Sequence, residues 1–182
     1  MKYIYSYLWI IFLTAVFCCC RDENFIIPSE NEIPDGVVPR PEASIKGVYI
    51  LNEGNMGSNK CTLDFFDYTT GIYHRNIYAE INPTIVKELG DVGNDIQIYG
   101  SKLYAVINCS HKVEVMDAHT LIRIGQIDIP NCRYIRFAQG KAYVSAYVGP
   151  VAMDPNAQLG AVYRIDTTSL KVTGKVTVSY QP

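Results

Sequence analysis

No one sign of charge dominates this sequence. Its 182 residues carry 16 Lys and Arg against 18 Asp and Glu, a formal net charge of −2. With no basic stripe to neutralise phosphates, nucleic-acid binding is not expected. Charge is also sparse, 19% of residues against 48% hydrophobic, which excludes a disordered chain and leaves material for a core. Long helical stripes are missing as well. So are the G-x-S-x-G elbow and the Gly-rich phosphate loop. The three histidines, His74, His111 and His119, lack metal-ligand spacing. Asp154 and Asn156 flank Pro155, which reads as a turn rather than a calcium loop. No catalytic group, metal or cofactor is therefore expected. Of the six cysteines, Cys18, Cys19 and Cys20 are consecutive, and Cys61, Cys109 and Cys132 form an odd set. No closed disulfide framework follows. Cys109 and Cys132 fall near neighbouring strand ends, where they could approach each other or stay free and buried.

One long apolar run is present. Lys2 precedes Tyr3 to Phe17, about the length of a signal-peptide core and short for a membrane span. The run ends in the cysteine triplet. Cys18 follows the bulky Phe17, whereas Cys19 and Cys20 each follow a small residue, as lipoprotein processing requires. Residues 1–20 are therefore expected to be a lipoprotein signal, with Cys20 or Cys19 lipidated. An uncleaved N-terminal anchor is the alternative. Each buried acyl methylene contributes about 0.8 kcal/mol, so several chains hold a protein firmly to a membrane. The following Arg21-Asp22-Glu23-Asn24 resembles the acidic stretch after the lipidated cysteine of Bacteroidetes surface lipoproteins. That resemblance implies an outer-membrane, cell-surface location.

Residues 21–44 contain four prolines and six acidic residues. Proline fixes φ and removes a donor, so neither a helix nor a central strand is favoured. The stretch is expected to be an extended tether, with Phe25, Ile26 and Ile27 as candidates to dock on the domain.

From Ile45 onward short strands alternate with period two. Three segments share a signature: residues 63–78, 113–129 and 162–178. Each is a strand ending in aspartate, a turn containing threonine, and a second strand. The aspartates are Asp67, Asp117 and Asp166. Aspartate accepts backbone N–H groups in such a turn, so the unit is a hairpin and the aspartates are structural. A further strand pair precedes the second and third hairpins, with Gly100 and Gly140 where the turn needs positive φ. Residues 45–182 are thus expected to be all-β, with about three propeller blades of four antiparallel strands, the first incomplete. A β-sandwich is the alternative. The stretch Pro83 to Leu89 could add one or two helical turns.

Residues 103–144, LYAVINCSHKVEVMDAHTLIRIGQIDIPNCRYIRFAQGKAYV, resemble the YVTN repeat of YncE-like propellers. Two departures stand out: an early proline in Ile129-Pro130-Asn131, and a long insertion before Asp91. The opening GVYILNEGNMGSNKCTLDFFD, residues 47–67, resembles surface lipoprotein propellers of Bacteroidetes, including the BtuG group that captures vitamin B12. The resemblance implies capture of a small ligand such as a corrinoid, and an outer-membrane transporter as partner. A protein-interaction or adhesion scaffold is the alternative, followed by a propeller enzyme of lactonase or dehydrogenase type. Propellers close with about four to eight blades. Three do not make the ring, so the sequence reads as an N-terminal fragment.

Within each blade, tight turns joining the first strand to the second and the third to the fourth are expected on one face, and the longer loops joining the second to the third, and one blade to the next, on the other. Binding residues concentrate on such loops. The candidates there are Asn55, Asn108, His111 and Tyr147, with Arg133 starting an innermost strand. Asparagine and tyrosine suit polar organic ligands.

Overall fold

In this computed structural model, residues 30–85, 88–149, 156 and 158–182 are described. The expected signal segment, Cys19, Cys20 and the stretch Phe25–Ile27 lie outside them. The described chain forms three four-stranded antiparallel sheets arranged as consecutive propeller blades. The second sheet runs in chain order: β5 (Gly93–Tyr99), β6 (Lys102–Ile107), β7 (Lys112–Asp117) and β8 (Arg123–Asp128). The third does the same with β9 (Cys132–Ala138), β10 (Lys141–Ala146), β11 (Ala161–Asp166) and β12 (Lys171–Thr177).

The first sheet is built differently. Its order is β1 (Glu30–Glu32), β4 (Tyr73–Arg75), β3 (Thr62–Asp67) and β2 (Gly47–Asn52). Part of the expected tether is therefore an edge strand. Glu30-Asn31-Glu32 has no apolar side chain to direct it inward. What it offers is polar complementarity: Glu32 pairs with Arg75, and Asn31 Oδ1 lies 2.6 Å from His74 Nδ1. An exposed edge accepts such a short, charged strand readily.

The repeated aspartates make the hairpins. Asp67 Oδ1 accepts from the Thr69 amide at 2.7 Å. Asp117 Oδ1 accepts from the His119 and Thr120 amides at 2.9 and 2.8 Å. Asp166 Oδ1 accepts from the Thr168 and Ser169 amides at 3.0 and 2.8 Å. The chain then passes through a left-handed residue, Gly71, Leu121 or Leu170, with φ of 74°, 58° and 56°. Each of those amides closes the turn on the aspartate carbonyl at 2.8 to 2.9 Å. Leucine is costly in that backbone region, yet Leu121 is buried and Leu170 packs against the core.

Sheets pack face to face through two apolar layers. Tyr104, Val106, Val113 and Val115 of the second sheet meet Ile135, Ala142, Val144 and Ile165 of the third. Tyr99 stacks on Phe137 with ring centres 4.6 Å apart. On the other side, Leu103, Ala105, Ile107 and Met116 meet Leu63, Tyr49, Leu51 and Phe65. Each fully buried aliphatic or aromatic side chain contributes roughly 1.5–3 kcal/mol. The sheets are also latched. Tyr49 Oη donates to the Ala118 carbonyl at 2.8 Å, and Lys102 Nζ to the Thr167 carbonyl at 2.9 Å. Both acceptors sit directly after a turn aspartate.

The insertion in the first unit forms a short helix, α1 (Ile77–Ile81), earlier than the Pro83–Leu89 stretch expected to do so. Burial of Ile77, Tyr78 and Ala79 places it. Asn82 ends it and ties it to the second sheet. Its Nδ2 donates to the carbonyls of Tyr78 and Leu121, each at 3.1 Å, and its Oδ1 accepts from the Arg123 amide at 2.8 Å. The face of β7 turned this way carries Glu114, fully buried. Lys112 Nζ lies 2.8 Å from one carboxylate oxygen, and Arg123 Nε bonds the other.

Candidate functional site at the long-loop end

The start of β9 and the end of β10 bring two of the five candidates into contact. Arg133 is the second residue of β9, and Tyr147 directly follows β10. The two meet because β9 and β10 pair, with Cys132 opposite Ala146. The Arg133 guanidinium carbon lies 4.9 Å from the Tyr147 ring centre and 5.6 Å from that of Tyr134. Nη1 donates to Asn94 Oδ1 at 3.2 Å. The Nε of Arg133 is buried and has no partner among the described residues. A cation over an aromatic face is worth about 0.5–2 kcal/mol, more as it loses water.

Asn108 and His111 brace the same end. Asn108 is buried, and its Nδ2 donates to the Cys132 carbonyl at 2.9 Å. Its side chain therefore joins two loops rather than facing outward. His111 is exposed at φ 56°. Its Nδ1 accepts from the Asn131 amide at 3.1 Å, which leaves the ring proton on Nε2. Asn131 in turn donates from Nδ2 to the Gly149 carbonyl at 2.9 Å. Asn55 stands apart, exposed in the loop after β2, where its carbonyl accepts from the Ser58 amide at 3.0 Å.

Asp91 joins that loop to the rest. Its carboxylate accepts from the amides of Gly57 at 2.8 Å and Asn59 at 3.3 Å. Its own amide donates to Ser110 Oγ at 2.8 Å. Cys109 lies within electrostatic reach. Burial, then the Asp91 charge, push its thiol up, and Arg133 partly opposes them. Cys61, Cys109 and Cys132 are all free, and burial pushes the thiols of Cys61 and Cys132 up to about 12.

Sequence reasoning missed Asn94, Asp91, Asn131 and Tyr134. Asn94 and Arg133 stand near the starts of equivalent strands, a relation readable only once the two repeats are aligned strand by strand. Among the described residues, no three His, Cys, Asp or Glu side chains converge to hold a metal. No helix there is long and apolar enough to cross a membrane. Concavities among the described residues lie elsewhere, three of them sizeable, including one of about 390 Å³ against Gly36–Val38 and Phe66. One of about 540 Å³ is lined by Arg40–Ile45 and Tyr68. Another, about 400 Å³, lies between the first two sheets, against Tyr49, Phe65, His74 and His119.

None of the curated proteins matches the chain. Among solved structures it is similar to Kuenenia stuttgartiensis hydrazine synthase, at 17% identity and a TM-score of 0.53. The likeness covers 79% of this chain, which spans 36% of that one, and it speaks to the fold alone. Over residues 46–179 the sequence matches the family described as Domain of unknown function (DUF5074), and the chain belongs to that family.

Proposed function

We propose that the chain is a lipid-anchored outer-membrane protein whose blades present a small-ligand binding face at the long-loop end. The observation that carries this reading is Arg133. Its guanidinium lies within cation–π distance of two tyrosine rings, and only one hydrogen bond to it comes from the described residues. Such a group offers a charged, planar donor beside aromatic surface, which suits a polar organic ligand. The resemblance of residues 47–67 to corrinoid-capturing propellers makes a corrinoid the first ligand to try, with an outer-membrane transporter as its recipient. The lipid anchor rests on the apolar run, the cysteines and the acidic residues after them. No enzymatic step is assigned to the site.

Titration of the membrane-anchored chain with cyanocobalamin tests the reading. Binding should be saturable, and Arg133→Ala should weaken it by at least about tenfold with little change in melting temperature. Unchanged binding in the variant would remove Arg133 from the site. No binding at all would point to the other reading, a protein-contact scaffold. Ile122 and Ile124 near β8, and Val172 and Val176 on β12, favour that second reading, since all four are exposed.

A further inference from the structure

The first sheet fills a different set of positions from the other two. In the second and third sheets, the strand whose first residue pairs with the turn aspartate is β6 or β10, through Lys102 with Asp117 and Lys141 with Asp166. On their other side these strands pair with β5 and β9. In the first sheet Gly47 pairs with Asp67, so β2 is the equivalent of β6 and β10. A second feature agrees. The residue after each aspartate donates to the residue just before this strand: Tyr68 to Lys46, Ala118 to Ser101, and Thr167 to Gly140. Yet β2 is the inner edge of its sheet, and no described strand pairs beyond it. The fourth strand, β1, lies at the opposite edge.

The chemistry wanted beside β2 is displayed by β5. Asp95 Oδ2 reaches the neighbouring inner strand, accepting from the Ile135 amide at 2.9 Å and from Arg136 Nη1 at 2.6 Å. Ile96 pairs with Ala105 and Ile135 with Val144, and these partners lie equally far along β6 and β10. Ile96 and Gln97 are therefore the equivalents of Ile135 and Arg136. A strand beside β2 that carried an acid at the Asp95 position would meet the Ile96 amide and the Gln97 side chain. It would also continue the row of inner strands that β5 and β9 begin.

We propose that the inner edge of β2 accepts an extended polypeptide segment, antiparallel to β2, bearing an acid followed by alternating aliphatic residues. Backbone pairing supplies affinity, and the acid fixes register against β5. The occupant has the pattern of Asp95-Ile96-Gln97-Ile98-Tyr99. This inference is independent of the ligand face, which lies at the ends of the strands rather than along this edge.

A synthetic peptide with the sequence of residues 93–100, added to the full chain, tests it by hydrogen exchange. Exchange at residues 47–52 should slow, while the outer edges at β1 and β12 stay unchanged. Replacing the peptide's aspartate by asparagine should weaken binding by about tenfold, the loss of one charge-assisted contact. Equal slowing with a scrambled peptide, or slowing confined to β1 or β12, would overturn the proposal. Slowing that depends on protein concentration without peptide would replace the segment by a second copy of the chain.

Discussion

Arg133 and Tyr147 face each other across the start of the third sheet, with guanidinium carbon and ring centre 4.9 Å apart. The contact is half-buried, so its energy is modest and its consequence positional. A double-mutant cycle on Arg133→Ala and Tyr147→Leu should give a coupling of about 0.5–1 kcal/mol in unfolding free energy. Strict additivity would show that the ring and the cation are neighbours without interacting.

The turn aspartates predict how stability responds to acid. Backbone amides of Thr120 and His119, then the Thr120 hydroxyl, hold the Asp117 carboxyl below its usual range. Asp166 is lowered by Lys141 first and the Ser169 amide second. Asp67 is raised by burial, but bonds from Thr69 and Thr70 outweigh that and lower it. A depressed folded-state pKa gives stability that is present above the unfolded value, about 3.9, and lost as pH falls through the folded one. Thermal melts should therefore lose stability below about pH 4. Asp117→Asn should flatten that dependence and lower the neutral-pH melting temperature by about 2–4 °C. An unchanged acid profile would mean that the turn bonds do not favour the charged form.

Glu114 is fully buried between Lys112 and Arg123, beside the face covered by α1. Removing the carboxylate leaves two cations without their partner. Glu114→Ala should cost about 3–5 kcal/mol in chemical denaturation, more than an ordinary cavity of that size. Replacing Lys112 and Glu114 together by apolar residues of similar volume should recover much of the loss. If the double variant were worse than the single one, the pair would be contributing more than mutual neutralisation.

Gly93 begins β5 against Leu51 of the first sheet and the neighbouring Cys61. A β-carbon there would meet Cys61 Sγ at 2.6 Å and Leu51 Cγ at 2.9 Å. Gly93→Ala should destabilise the chain by about 1–3 kcal/mol through overpacking. Gly93→Ala combined with Cys61→Ala should restore part of this. A neutral Gly93→Ala would show that the first two sheets are not in close contact at that point.

The parts of the fold that were legible in the sequence are those whose chemistry is local. Asp67, Asp117 and Asp166 bond to amides two or three residues ahead, so their spacing revealed the hairpins and the repeat. The alternation along β10 was equally readable, but that expected along β12 does not hold: a bulge between Val172 and Gly174 sets Val172 opposite Ile165 and Val176 opposite Val162, on opposite faces of β11. Contacts set by another sheet were not. Glu30-Asn31-Glu32 is a strand only because the edge of β4 is there to pair with it. Helix α1 lies where Ile77, Tyr78 and Ala79 find apolar surface, a position fixed by the neighbouring sheets rather than by its five residues. At the candidate site, Arg133 and Tyr147 came together because adjacent strands carry them. Asn108 shared their loop face, but its amide is engaged by the Cys132 carbonyl. Neither outcome shows in residue type alone.

The central claim, a ligand face at the long-loop end, is tested most directly by two-dimensional NMR of the chain titrated with cyanocobalamin. The account predicts amide shifts gathered at Cys109–His111, Asn131–Tyr134 and Tyr147–Gly149, with the turns after Asp67, Asp117 and Asp166 undisturbed. Shifts gathered at those turns instead, or none up to millimolar ligand, would contradict it.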